Sequence, residues 1–234
     1  MDIAGSVALV TGANRGLGRS FAQQLLDRGA AKVYATARRP ELVDLPGVAV
    51  LPLDVTDPEQ VAAAAAAATD VTLLVNNAGV STYQNLVTGD LDRIRSEMET
   101  HFFGTLGMVR AFAPVLGANG GGAVLNVLSA LSWFSVDGAN AYAAAKAAEW
   151  SLTNGIRLEL AGQGTRVTGL HLGAADTDMM AGFDVPKSDP ADVVRVALDG
   201  VAAGELEVLA DDWSRYVKSS LAGDPRAFYA PPAA

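Results

Sequence analysis

The chain has no cysteine, which excludes disulfides, a thiol nucleophile and any metal site built on thiolates. Its two histidines, His101 and His171, lie far apart in sequence, so no H-E-x-x-H or similar metal cluster can be written and metal-independent chemistry is expected. Cations are scarce: 17 Lys and Arg stand against 26 Asp and Glu, a formal charge of −9. Phosphate backbones are held by clustered Lys and Arg, so nucleic acid is not an expected partner. No apolar run approaches the length needed to cross a bilayer, and Met1-Asp2-Ile3 does not open a basic stretch with an apolar segment behind it. A soluble, cytoplasmic protein with no membrane partner is expected. Linkers are also missing. Half of the 234 residues are apolar, enough for one substantial core, and a single domain over residues 1–234 is expected.

What the chain does contain is alternation. Strand-like apolar segments run from Val7 to Thr11, Lys32 to Ala37, Val48 to Leu53, Val71 to Asn76, Ala123 to Ser129, Arg166 to Leu172 and Glu207 to Ala210. Helical patterns lie between them near Gly16 to Arg28, Pro58 to Ala68, Asp90 to Leu116, Ala139 to Ala161 and Pro190 to Ala203. Alternating elements of this kind predict an α/β fold, a doubly wound, seven-stranded parallel sheet with its ligand crevice at the carboxyl ends of the strands. The alanine run Ala62 to Ala68 is low in complexity, but Asp57-Pro58-Glu59 caps its start, so it reads as helix and not linker. Asp211 to Leu221 also reads as helical, and Pro231 to Ala234 as a frayed tail.

Two constellations carry chemistry. Tyr142 and Lys146 stand at i and i+4 in an alanine-rich helical run, so both side chains leave the same face, and Ser129 lies thirteen residues upstream of the tyrosine. A phenol is a poor acid at neutral pH, and a nearby ammonium is expected to draw its pKa down toward use as a general acid or base. Taken alone, the pair could equally be a helix aromatic and a solvated lysine. Near the N-terminus, the strand Val7 to Val10 runs through Thr11-Gly12-Ala13-Asn14-Arg15-Gly16-Leu17-Gly18 into an amphipathic helix. Strand, glycine turn and helix present backbone N–H groups to a pyrophosphate at the positive end of the helix. The spacing is G-x-x-x-G-x-G, one residue longer than the generic fingerprint.

Together these segments resemble the short-chain dehydrogenase/reductase family over almost the whole chain. The T-G-x-x-x-G-x-G loop, Leu53-Asp54-Val55-Thr56, Asn76-Asn77-Ala78-Gly79, Ser129, Tyr142 with Lys146, and Gly173 with Thr177 fall in the order that family shows. The resemblance implies a Rossmann fold in which one domain binds a dinucleotide and performs hydride transfer. It implies cofactor contacts from Gly12, Asn14, Arg15, Gly16, Leu17, Gly18, Arg38, Asp54, Val55, Asn77, Ala78, Gly79, Ala175 and Thr177, as well as from Tyr142 and Lys146. Tyr142 would pass a proton to or from the substrate oxygen, Ser129 would hydrogen-bond that oxygen, and Lys146 would bind the nicotinamide ribose. Ala37-Arg38-Arg39 carries no acid after the second strand. A carboxylate there would repel a 2′-phosphate, and guanidinium groups suit one, so NADP(H) is the expected cofactor, with Arg15 as a second cation.

Three positions depart from the family pattern: Leu128, Leu172 in place of a proline, and His101 where a fourth catalytic residue, an asparagine, is expected. The residues expected around the substrate are apolar: Val80, Tyr83, Leu131, Trp133, Phe134, Val136, Met179, Met180 and Phe183. An uncharged, apolar ketone, aldehyde or alcohol is therefore expected. Ser129 lacks the G-x-S-x-G setting of a hydrolase nucleophile, and Ser132 is placed outside the reacting centre. Rival readings are a catalytically weak NADP-binding sensor or scaffold, and an epimerase or dehydratase of the same family. A homodimer through the two long helices is expected, with a tetramer as the alternative; Trp150 and Leu152 offer anchors there, and the same residues could instead pack on the sheet.

Overall fold

The computed structural model describes residues 1–229; the tail expected to fray, 231–234, lies outside them. Seven strands form one parallel sheet: β1 (Val7–Thr11), β2 (Lys32–Ala37), β3 (Ala49–Pro52), β4 (Leu73–Asn76), β5 (Gly122–Val127), β6 (Thr165–His171) and β7 (Glu207–Leu209). Their spatial order is β3-β2-β1-β4-β5-β6-β7. The order reverses between β1 and β4, which opens a crevice at their carboxyl ends.

The two faces of the sheet bury different helices. Phe21 and Leu25 of α1 (Gly16–Asp27) pack with Val194 and Leu198 of α6 (Pro190–Ala203) against Val10, Val75 and Leu125. On the other face Val61 of α2 (Pro58–Ala67), Phe112 of α4 (Thr105–Ala118) and Ile156 of α5 (Asn140–Leu160) cover Leu9, Leu74 and Val124. The central strands β1, β4 and β5 are buried on both faces and are apolar but for Thr11, Asn76 and Asn126. Side-chain caps set several helix starts. Asp57 accepts from the N–H groups of Glu59 and Gln60 ahead of α2, and Asp189 from that of Ala191 ahead of α6. The alanine run is helical as expected, and the segment after β7 forms α7 (Asp212–Ser220).

Strand ends move by one or two residues, and the shift at β5 matters. Leu128 and Ala130 still donate to the Leu170 and Leu172 carbonyls, but the chain leaves the strand at Ser129 for a tight turn over Ala130–Ser132. The helix expected from Asp90 to Leu116 is not continuous. α3 (Leu91–Met98) passes into a π-helical turn, Glu99–Gly104, before α4 begins. The wide turn brings the buried His101 ring onto the loop after β4, where Nε2 lies 2.7 Å from the Val80 carbonyl. It also seats Gly104 against Val55, where an added Cβ would meet Cγ2 at 2.9 Å. Widened turns of this kind are frequent at functional sites.

Candidate active site

The glycine loop is tied to the end of β4 by side chains. Thr11 Oγ1 accepts from the N–H groups of Asn77 and Ala78, both at 2.9 Å, and Asn77 Nδ2 donates to the Thr11 carbonyl at 2.8 Å. Gly12 and Gly16 have φ of +66° and +54°, which side chains other than glycine rarely adopt. Gly18 is required for packing: a Cβ there would stand 2.1 Å from the Gly12 carbonyl oxygen. Beyond the loop, α1 begins with Arg15 in extended conformation, with no side-chain cap and no acid in the first turn. The N–H groups of that turn therefore face the crevice at the positive end of the helix, a setting that suits a phosphate.

One cavity of about 1680 Å³ runs from this loop to the end of β6. Every residue expected from sequence to touch cofactor or to act in catalysis lines it. Ser129 accepts the Leu131 N–H at 3.1 Å through its hydroxyl oxygen, which leaves its O–H to donate into the cavity, toward the Tyr142 phenol. Ser132 lies outside the cavity lining, and its hydroxyl accepts the Ser129 N–H at 3.3 Å. Tyr142 is only partly buried and opens to the cavity, while Lys146 is buried beside it, with Nζ 5.7 Å from the ring centre.

Protein burial raises the Tyr142 phenol above its ordinary pKa; Lys146 opposes this, Glu149 and Glu97 add to it, and the Ser129 hydrogen bond opposes it. The expected downward pull of the ammonium is real, but burial outweighs it and the phenol keeps its proton. Lys146 is held in its charged form: burial would lower it, but the Glu149 carboxylate, with Tyr142, leaves it raised. Glu149 was not anticipated from sequence. It lies buried one turn past the lysine, Oε2 accepting from Lys146 Nζ at 2.7 Å and Oε1 from Thr105 at 3.1 Å. His101 is kept neutral, its pKa well below the ordinary value through burial and the Lys146 charge.

At the substrate end, Val80, Tyr83, Leu131, Phe134, Val136, Met179, Met180 and Phe183 line the cavity as expected. Trp133 does not. Its ring stacks on His171 with centroids 3.8 Å apart, drawn to the far side by Trp150 and the Lys218 ammonium. Trp213 of α7 lines the cavity instead, held there because Asp211, the cap of α7, accepts the Gly173 N–H at 2.6 Å. Its position was not legible because nothing in local sequence signals contact with the turn after β6. Tyr83 hydrogen-bonds the Met179 carbonyl and meets the Phe183 ring at 5.3 Å, so it spans the mouth of the cavity.

The two arginines expected at the cofactor differ. Arg38 is exposed at the cavity wall and forms no ion pair among the described residues. Arg15 pairs with Asp178 at 2.7 Å, both side chains largely in solvent, where such a pair is worth little and yields readily. Trp150 and Leu152 are both partly buried: Trp150 donates to Glu207 at 2.8 Å, and Leu152 packs on the core beneath α5, the second of the two placements open to them from sequence.

A family profile described as short chain dehydrogenase matches residues 6–186. An uncharacterised oxidoreductase of Staphylococcus aureus (strain MW2) is 29% identical over 205 residues, covering 82% of this chain and 89% of that protein. A solved short chain dehydrogenase from Burkholderia cenocepacia in complex with NADP superposes with a TM-score of 0.93 at 41% identity, covering 97% of both chains. One from Streptomyces avermitilis gives 0.86 at 27% identity over 97% of this chain and 95% of that one.

Proposed function

This chain belongs to the short chain dehydrogenase family, and from that premise we propose that it is an NADP(H)-dependent oxidoreductase interconverting an apolar, uncharged ketone or aldehyde and the corresponding alcohol. The observation that carries this reading is the meeting of Ser129, Tyr142 and Lys146 on one wall of the cavity that begins at the glycine loop. The uncapped start of α1, the positive φ at Gly12 and Gly16 and the unpaired Arg38 fit a dinucleotide with a 2′-phosphate. The first turn of α1 would hold the pyrophosphate, Arg38 the 2′-phosphate, and Asp54 and Val55 the adenine. Bound NADPH supplies hydride to the substrate carbon, and NADP⁺ accepts it in the reverse direction. The Burkholderia relative, which carries NADP, supports that choice of cofactor.

The protein's part is to manage the oxygen. The Ser129 O–H donates to the carbonyl oxygen and favours the negative charge that develops there. Tyr142, protonated at neutral pH, gives its proton to the same oxygen; a placed acid typically contributes about 10²–10⁴ in rate. Lys146 favours the phenolate this leaves behind. In oxidation the same groups work in reverse. Apolar walls from Phe134, Met180, Phe183 and Trp213 favour an uncharged substrate. We further propose a homodimer, with the exposed Phe103 beside α4 and Leu158 on α5 as contact residues.

The test is a panel of ketones, aldehydes and secondary alcohols offered with NADPH or NADP⁺ and with their non-phosphorylated counterparts, read by nicotinamide absorbance. Turnover of apolar carbonyl compounds with NADPH is expected; a protein that binds NADPH and reduces none of them would overturn the reading.

A further inference from the structure

We propose that Glu149 is a positioning residue for the Tyr142–Lys146 pair: its carboxylate fixes the Lys146 ammonium so that a single N–H remains to face the cavity. The proposal rests on the reading of function given above. An ammonium has three donors. Two are taken by protein acceptors, the Val127 carbonyl and Glu149 Oε2, each at 2.7 Å. Because both acceptors are fixed, the direction of the third donor is fixed too.

Glu149 is itself anchored from two sides. Thr105, the first residue of α4 after the π-helical turn, donates to Oε1 at 3.1 Å, and the Thr153 hydroxyl donates to the Glu149 carbonyl at 2.7 Å. Both members of the pair are almost wholly buried, Lys146 at 4% and Glu149 at 2% exposure, so solvent screens their interaction little. A buried ion pair is a poor device for stability, since apolar residues of similar volume commonly do as well or better. Its place against the reacting tyrosine is better explained by what it does to the lysine.

Its electrostatic surroundings are few. Tyr142 and Lys146 face it from its own helix. From the π-helical turn, His101 Nδ1 lies 3.8 Å from Oε2 without a hydrogen bond; the Glu97 carboxylate of α3 acts on Tyr142, and His171 of β6 feels the Lys146 charge while itself held neutral by burial. With His101 neutral, Lys146 is the one cation balancing the carboxylate among these groups. Removing the carboxylate charge either ionises the phenol at lower pH or strips the proton from the lysine at lower pH. Either change moves the alkaline loss of carbonyl reduction in the same direction.

The experiment is a cycle of Glu149→Gln, Lys146→Met and the double variant, read by NADPH Kd from tryptophan fluorescence and by the pH profile of kcat. E149Q is expected to raise Kd about fivefold alone and less than about twofold in the Lys146→Met background, because it acts through the lysine. Its kcat should fall about tenfold with KM for the carbonyl compound nearly unchanged, and the alkaline limb should move down by roughly one pH unit. Glu149→Asp should recover most of this. An unchanged Kd and limb in E149Q overturns the proposal, as does an effect that persists undiminished without the lysine. Should E149Q not fold, Thr105→Val carries the test: it frees the second carboxylate oxygen and should move Kd and limb the same way, and no movement overturns the proposal. A wild-type chain that reduces no carbonyl compound sinks the reading of function, and the NADPH cycle, which needs no turnover, still decides Glu149.

Discussion

The His101 ring meets the Tyr142 ring edge-on, with centroids 5.2 Å apart and planes at 89°. The neutral imidazole thus walls the tyrosine without adding charge. Two buried histidines held neutral have a consequence for acid stability. His171 is lowered to about 4 by burial, with smaller opposing contributions from the Ser129 carbonyl and Glu207, and His101 is held well below its ordinary value by burial and the Lys146 charge. Below an ordinary imidazole value near ~6.5 the unfolded chain takes up protons that the folded chain refuses, so stability falls as pH falls. For His171 the window runs from there down to about 4, and its full cost is roughly 3 kcal/mol. Glu149, whose carboxyl burial raises, offsets part of this. Urea melts from pH 7 to 4.5 should show a falling midpoint that His171→Phe flattens; a midpoint constant over that range would contradict the assignment.

Tyr142→Phe should remove at least about 99% of turnover while changing NADPH Kd by less than about threefold, because the proton donor alone is lost. Lys146→Ala should damage both. Steady-state rates with binding by fluorescence separate the two; near-normal kcat in the phenylalanine variant would refute the mechanism.

NADPH should bind at least about tenfold more tightly than NADH, and Arg38→Asp should reverse that order by setting like charges together. Asp178→Asn should raise NADPH affinity about twofold by releasing Arg15 from its ion pair. Trp213, which lines the cavity, supplies the fluorescence signal. Equal affinities for the two cofactors would sink the prediction.

Gly18→Ala should lower stability by about 1–3 kcal/mol, since the added carbon meets backbone it cannot displace cheaply. Thermal melts decide this. Gly107→Ala, where a Cβ meets nothing within 4 Å, is the control that should leave the midpoint unchanged or slightly raised.

Light scattering at micromolar concentration should report a dimer of the 24.1 kDa chain. A clean monomer would refute an interface on α4 and α5, and Leu158→Glu should dissociate a dimer that uses it.

Periodicity and turn chemistry made the sheet and most helices legible, with β1, β2 and α6 placed to the residue. The glycine loop was legible from its strand, turn and helix context and Tyr142 with Lys146 from their helical spacing, whereas Ser129 was expected from its distance to the tyrosine and the family resemblance; all of them line the cavity. Glu149 and Trp213 were not. A glutamate in a helix reads as solvated until the fold buries it against Lys146 and Thr105. The π-helical turn was missed because helical spacing in sequence does not distinguish a widened turn at Glu99–Gly104 from an ordinary one; its effect, the seat of His101 against Val80, is tertiary. For Trp150 and Leu152 the sequence left two placements open, because helix spacing alone does not tell the sheet face from the outer one.

The Asp211 to Gly173 hydrogen bond joins the chain after the last strand to the turn after β6. Glycine loop, Ser129, Tyr142 and Lys146 all precede Asp211 in sequence, whereas Trp213 follows every strand. Loss of the segment from Asp211 onward would thus take one wall from the cavity while leaving the loop and the three polar residues in the chain.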